Sequence, residues 1–240
     1  MIETVAETGS TNADLAARLR AGEAVPEGHW LVADRQNAGR GRQGRVWSTG
    51  EGNFMGSTIV HLDGREPAPQ SLALAVGLAV YEAVLSHMLV PARLELKWPN
   101  DLLLAGGKLA GILLERVGNA IIVGIGVNIA KTPVVMGQKI VSLGQFGPAP
   151  DRDSFARDLA ASFAREVERW RSEGLPQLLA RWTAAAHPEG TRLSVHVGEE
   201  GRIEGEFAGL APDGALRLRL EDGSLQVIHA GDVSLIGGQG

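Results

Sequence analysis

Pro99 and the glycines that follow it constrain the fold of this chain more than any other feature. Residues 94–98 read as a strand, and that strand has to stop at Pro99 because proline offers no N–H to a ladder. Residues 102–104 and 109–115 flank Ala105-Gly106-Gly107, the punctuation of a hairpin. Gly118-Asn119 makes a second turn before residues 120–128, so three strands meander here.

The rest of the chain supplies helices and further strands, an α+β pattern. Residues 11–20 read as a helix with Thr11 as its cap, Asp14 in the first turn and Leu15, Ala16 and Leu19 as the apolar stripe. Residues 30–33 form a short buried strand, residues 34–53 are a loop rich in Gly and Arg, and residues 54–62 return to strand character. Residues 71–89 form an apolar helix, with Leu74, Leu78, Tyr81 and Leu85 at helical spacing. Asp151 and Asp153 start another helix, Gly174 ends it, and a second helix runs to about Thr183. From His187 the texture changes to short strands (191–197, 202–210, 215–220 and 224–229) cut by Gly and Asp turns, the spacing of a small barrel. The domains are therefore expected at residues 1–186 and 187–240.

Composition narrows the function classes. A net charge of −5 gives the surface no general attraction for nucleic acid. The chain has no cysteine, which removes disulfides, thiolate metal sites and cysteine nucleophiles and is compatible with the cytoplasm. The N-terminus lacks a basic-then-apolar signal pattern, and no apolar run reaches the ~20 residues of a membrane span.

Three constellations carry chemistry. In Gly39-Arg40-Gly41-Arg42-Gln43-Gly44-Arg45-Val46-Trp47, glycines permit close backbone approach and positive φ, and arginines offer planar forks for phosphate and carboxylate oxygens. Such a segment alone also suits a solvated loop or an RNA-binding tract. Lying between two apolar strands of an acidic protein, it reads better as a cradle for a nucleotide or acyl phosphate. The second constellation is Lys97-Trp98-Pro99-Asn100-Asp101, continuing through Gly107-Lys108-Leu109-Ala110-Gly111 to Glu115. It holds two of the chain's four lysines, one of them at a hairpin end. The third, Gly124-Ile125-Gly126-Val127-Asn128, places glycines on one face of a strand, for tight packing or for a flat ligand.

In this order and spacing, Ser10-Thr11-Asn12, GRGRQGRVW, KWPNDLLL with GKLAGILLE, and GIGVN resemble the bacterial biotin–protein ligases over nearly all of residues 1–183. The resemblance implies a mixed sheet packed with helices, as in class II aminoacyl-tRNA synthetases and biotin–lipoate ligases, followed by an SH3-like C-terminal barrel. It implies that Ser10, Thr11, Asn12 and Gln36 bind the biotin head, whose urea suits short polar side chains. Gly39, Arg40, Gly41 and Arg42 match the loop that closes over biotin's carboxylate and the nucleotide phosphates. Lys108 matches the lysine on the carboxylate and α-phosphate oxygens, and Gly111, Gly124 and Gly126 match the floor of the biotin slot. Arg45, Trp47, Asn100 and Asn128, with Arg40, Arg42 and Lys108, fall where ATP is handled. Lys108, Arg40, Arg42 and Asp101 are the catalytic candidates, Asp101 in a supporting role toward the acceptor lysine.

The resemblance further implies ATP and biotin as substrates, Mg²⁺ carried on the nucleotide with no metal ligands from the chain, and a biotin carboxyl carrier domain as partner. Homodimerisation through a sheet edge is compatible with it. The motifs begin at residue 10, so a preceding helix-turn-helix and operator binding are not expected. Position 43 is Gln where some relatives have Arg, and the segment after Asn128 lacks a tryptophan that some place over adenine, leaving Val134, Val135 or Ile140 for that task. The rival enzyme is a lipoate–protein ligase of the same fold, which does not show this arginine loop. The rival from another class is an RNA-binding protein, in which Lys108 and the glycine strand would serve nothing.

Overall fold

The computed structural model describes residues 1–48, 50–198 and 201–236. The expected turn at 198–201 therefore lies partly outside the described residues. Strand β1 (Ile2–Thr8) leads into helix α1 (Thr11–Arg20), then β2 (Trp30–Gln36), β3 (Phe54–His61) and helix α2 (Leu72–Ser86). The meander follows as β4 (Leu94–Lys97), β5 (Asp101–Leu104), β6 (Gly107–Val117) and β7 (Ala120–Val127). Helices α3 (Arg152–Ser172) and α4 (Leu175–Ala185) precede β8 (Arg192–Val197), β9 (Gly201–Leu210), β10 (Leu216–Arg219), β11 (Leu225–Ile228) and β12 (Asp232–Leu235).

The first sheet has the order β1-β2-β3-β7-β6-β5-β4, with β1 parallel to β2 and the other pairs antiparallel. It is the mixed, helix-packed sheet that the sequence implies. Its two faces are covered differently. Helices α2, α3 and α4 bury one face, where Trp30, Phe54, Phe155 and Phe163 meet edge to face. On the other face α1 lays Leu15 and Ala16 over Ile59, Ala120 and Ile122, a smaller core. Strand periodicity continues that second face along β7 from Ala120 and Ile122 to Gly124 and Gly126. The face that packs under α1 at one end thus opens into a cleft at the other.

Helix α2 differs from expectation in one respect. Residues Pro69–Ser86 form a stretch long and apolar enough to span a membrane, but 61% of it is buried, and it is the central core helix here.

The C-terminal strands form an antiparallel sheet of order β11-β10-β9-β8-β12, consistent with an SH3-like domain. The sequence signal missed β12. It also missed β1, whose Glu3, Thr4 and Glu7 give no apolar alternation at a sheet edge. Val195, Phe207, Leu216 and Val233 join the same buried cluster as α2 and α4. Polar ties reinforce the junction: Trp98 Nε1 donates to the Gly214 carbonyl at 3.1 Å and Lys97 Nζ to the Val233 carbonyl at 2.9 Å.

Candidate active site

The cleft has a volume of about 1280 Å³ and runs from the N-terminus of α1, across β7 and β6, to the C-terminal sheet. That exceeds the ~300–1,000 Å³ of an ordinary small-molecule site, which suits two substrates side by side. Its two ends differ in chemistry.

The α1 end is lined by uncharged, hydrogen-bonded side chains, with the Glu115 carboxylate behind Asn12. The cap of α1 is Ser10 rather than Thr11: Ser10 Oγ accepts from Ala13 N at 3.5 Å. Thr11 is used elsewhere. Its N–H donates to Gln36 Oε1 at 2.8 Å, and its hydroxyl lies 2.6 Å from Ser57 Oγ. Ser57 donates in turn to Asn12 Oδ1 at 2.6 Å, and Asn12 Nδ2 donates to Glu115 Oε2 at 2.6 Å. Ser10, Thr11, Asn12 and Ser57 are all buried.

The other end collects cations. The arginine segment doubles back on itself, with Gly41 N bonded to the Arg45 carbonyl at 2.7 Å and Trp47 N to the Gly39 carbonyl at 2.9 Å. Positive φ falls at Gln43 and Gly44, at the tip, and not at Gly39 or Gly41. Gly39 does not line the cleft. A Cβ there would strike the Trp47 backbone, so this glycine closes the stem of the loop. Arg40 is exposed at the rim, without an ion pair among the described residues. Arg42 donates to Asn100 Oδ1 at 3.1 Å, and Arg45 pairs with Asp232 at 2.5 Å. The C-terminal sheet therefore holds the arginine loop through the first residue of β12.

Lys108 reaches the cleft from the start of β6 and meets Asp101 at 2.6 Å, while Lys97 meets the other oxygen of Asp101 at 3.0 Å. Burial pushes the Asp101 carboxyl up, but Lys97 and Lys108 outweigh it and hold the group below the usual carboxylate range. A carboxylate so held is a poor proton acceptor and a good anchor for Lys108. Asn100 is fixed too, since its Nδ2 donates to the Ile112 carbonyl at 2.7 Å. Asn128 is buried at the cleft wall with its Oδ1 unpartnered.

Glycines set the depth between the two ends. A side chain at Gly126 would collide with the Trp47 indole and one at Gly124 with the Asn12 amide, while one at Gly111 would press tightly on the indole edge. The sequence left Gly124 and Gly126 to tight packing or to a flat ligand, and the resemblance matches all three glycines to the floor of the biotin slot. In the structure Trp47 lies over Gly126 and Gly111, with Lys108 Nζ 5.9 Å from its ring centroid, and Asn12 lies over Gly124. Apart from Gly39, every site residue named from sequence lines this one cleft. Val134, Val135 and Ile140, the candidates for covering a base, line it as well. Ser57 and Asp232 were missed, because each joins the site across a sheet or a domain junction with no local motif to mark it, and Glu115 ends a quoted motif whose reach to Asn12 only the sheet register reveals.

Residues 8–130 match the biotin/lipoate A/B protein ligase family, and residues 194–236 match the biotin protein ligase C-terminal domain. The biotin–[acetyl-CoA-carboxylase] ligase of Mycobacterium tuberculosis is 38% identical, covering 97% of this chain and 88% of its own length. That of Paracoccus denitrificans is also 38% identical, covering 95% and 98%. Among solved structures, the biotin protein ligase of Aquifex aeolicus in complex with biotin and ATP superposes with a TM-score of 0.85 at 27% identity, covering 98% of both chains. The chain belongs to the biotin/lipoate A/B protein ligase family.

Proposed function

We propose that this protein is an ATP-dependent biotin–protein ligase, with one observation carrying the reading. A single cleft joins a neutral hydrogen-bonding end, suited to a urea, to an end where Lys108, Arg40, Arg42 and Arg45 line the wall. Biotin has that polarity: a cyclic urea at one end and a carboxylate at the other. Its carboxylate attacks the α-phosphate of ATP, giving biotinyl-5′-adenylate and pyrophosphate. A lysine of the carrier then attacks the mixed anhydride and AMP leaves.

In this scheme Thr11, Asn12 and Gln36 hold the head, and Lys108, anchored by Asp101, faces the oxygens that gain charge. Arg40 and Arg42 close on the phosphate and carboxylate oxygens. The work is positioning and charge stabilisation, with no covalent nucleophile required. Asp101 serves the acceptor step indirectly, by fixing Lys108. Arg45, Trp47, Asn100 and Asn128 form the nucleotide side.

Among the described residues no three His, Asp or Glu side chains converge, and the cleft's Asp101 and Asp232 are taken by Lys97, Lys108 and Arg45. The donor set does not fit a metal held by the protein itself. We assign Mg²⁺ to the incoming nucleotide, where phosphate oxygens would hold it.

The partner we propose is a biotin carboxyl carrier domain in the cytoplasm, with no operator DNA. A domain boundary at 186/187 falls between the end of α4 and the start of β8. A homodimer built on a sheet edge would use an outer strand such as β1 or β4. The deciding experiment supplies purified protein with ATP, labelled pyrophosphate and either biotin or lipoate. Biotin alone should drive label into ATP. Exchange driven by lipoate would assign the site to the rival acid.

A further inference from the structure

We propose that Glu115 and Ser57 are positioning residues that fix the hydrogen-bond polarity of the head-group pocket, and so its preference for a cyclic urea. Asn12 lies flat against Gly124, where no side chain can intrude, between Ser57 on one neighbouring strand and Glu115 on the other. Gly124 pairs in register with Ser57 on β3 and with Leu113 on β6, and Glu115 lies two residues beyond Leu113 on the same face. The amide is thus gripped at both ends.

A carboxylate only accepts hydrogen bonds, so the NH₂ end of Asn12 must face Glu115. The oxygen end then faces Ser57, whose single proton goes to Asn12 Oδ1. Ser57 has no second proton and must accept from Thr11 at 2.6 Å. That uses the only hydroxyl proton of Thr11. Its 3.2 Å contact with Gln36 Oε1 is left without one, and Gln36 Oε1 keeps the Thr11 N–H instead.

One anion therefore orients three side chains in series. Thr11 presents lone pairs to the cleft, and Asn12 presents its remaining N–H. An acceptor beside a donor is the complement of a urea, which shows N–H beside C=O. The carboxamide of Gln at position 115 has nearly the same shape but can donate, so it permits Asn12 to turn over and the series to reverse.

This inference rests on the biotin reading, and exchange by the native enzyme with biotin tests that reading separately. Glu115→Gln, Ser57→Ala and the double variant are compared by pyrophosphate exchange with biotin and with 2-iminobiotin, whose urea oxygen is replaced by an N–H donor. Glu115→Gln should raise the biotin KM about tenfold, the scale of one misdirected buried hydrogen bond, with the ATP KM unchanged. The preference for biotin over iminobiotin should shrink by a similar factor, which general loosening of the fold would not produce. Adding Ser57→Ala to Glu115→Gln should cost less than the sum of the single effects, because both act through one series. An unchanged biotin-to-iminobiotin ratio in Glu115→Gln, or fully additive effects in the double variant, would overturn the proposal.

Discussion

Replacing Lys108 by Ala isolates the chemistry from the fold, because the structure already supplies a substitute partner for the charge left behind. Asp101 is buried and would be costly to strand, since breaking a buried ion pair by removing one side typically costs 3–5 kcal/mol. Here Lys97 stays 3.0 Å from the same carboxylate, so Asp101 remains paired. The loss of stability should then be limited to one charge-assisted hydrogen bond, about 1.5–3 kcal/mol, partly offset by the ammonium no longer being desolvated.

The loss of activity should be larger than that. In the proposed reaction Lys108 faces the oxygens that gain negative charge, and removal of a comparable fixed donor costs ~2.7–4 kcal/mol in the transition state. At about 1.36 kcal/mol per factor of ten, biotin-driven pyrophosphate exchange should fall roughly 100- to 1,000-fold. The assay pairs that exchange rate with a urea denaturation curve at neutral pH. A well-folded variant whose exchange stays within about threefold of native would remove Lys108 from the chemistry. A variant that unfolds outright would show that Lys97 does not compensate.

Three further outcomes follow. The Asp101 carboxyl is lowered in the folded state, so its contribution to stability is complete above the ordinary Asp value of about 3.9 and is lost as pH falls through the lowered folded value. Urea midpoints measured from pH 7 downward should lose an acid-sensitive component in Asp101→Asn, and identical slopes would refute the ion-pair account. Arg42→Gly removes the bond to Asn100 and adds backbone freedom, so it should still form the adenylate but release it. Biotin blots should then show an unrelated lysine-rich protein labelled by the variant and not by native enzyme. Mobility-shift assays with biotin-operon promoter DNA at physiological salt should show no sequence-specific complex, and a salt-resistant one would overturn that expectation.

The meander was legible because its signals are local. Pro99 stops β4, Ala105-Gly106 and Gly118 turn the chain, and each acts on its immediate neighbours. Strand β1 was not legible, because its partner β2 lies a helix away and its charges are satisfied by tertiary contacts such as Glu3 with Arg18 at 2.7 Å. The cap of α1 illustrates the same limit on a smaller scale. Ser10 and Thr11 each carry a hydroxyl that can cap a helix, Ser being the better of the two. The choice is made by Ser57, which lies 46 residues from Thr11 and claims its hydroxyl. The functional site divides the same way. Its charged members stand in contiguous segments, so Arg42, Asp101 and Lys108 could be named from sequence. The groups that orient them or their neighbours are remote: Asp232 reaches Arg45 from the second sheet, and Glu115 reaches Asn12 across 103 residues. Glycine shows the limit most clearly, since the sequence says only that space is needed above Gly124 and Gly126. Register and packing decide that Asn12 and Trp47 fill it, and through them what a ligand meets.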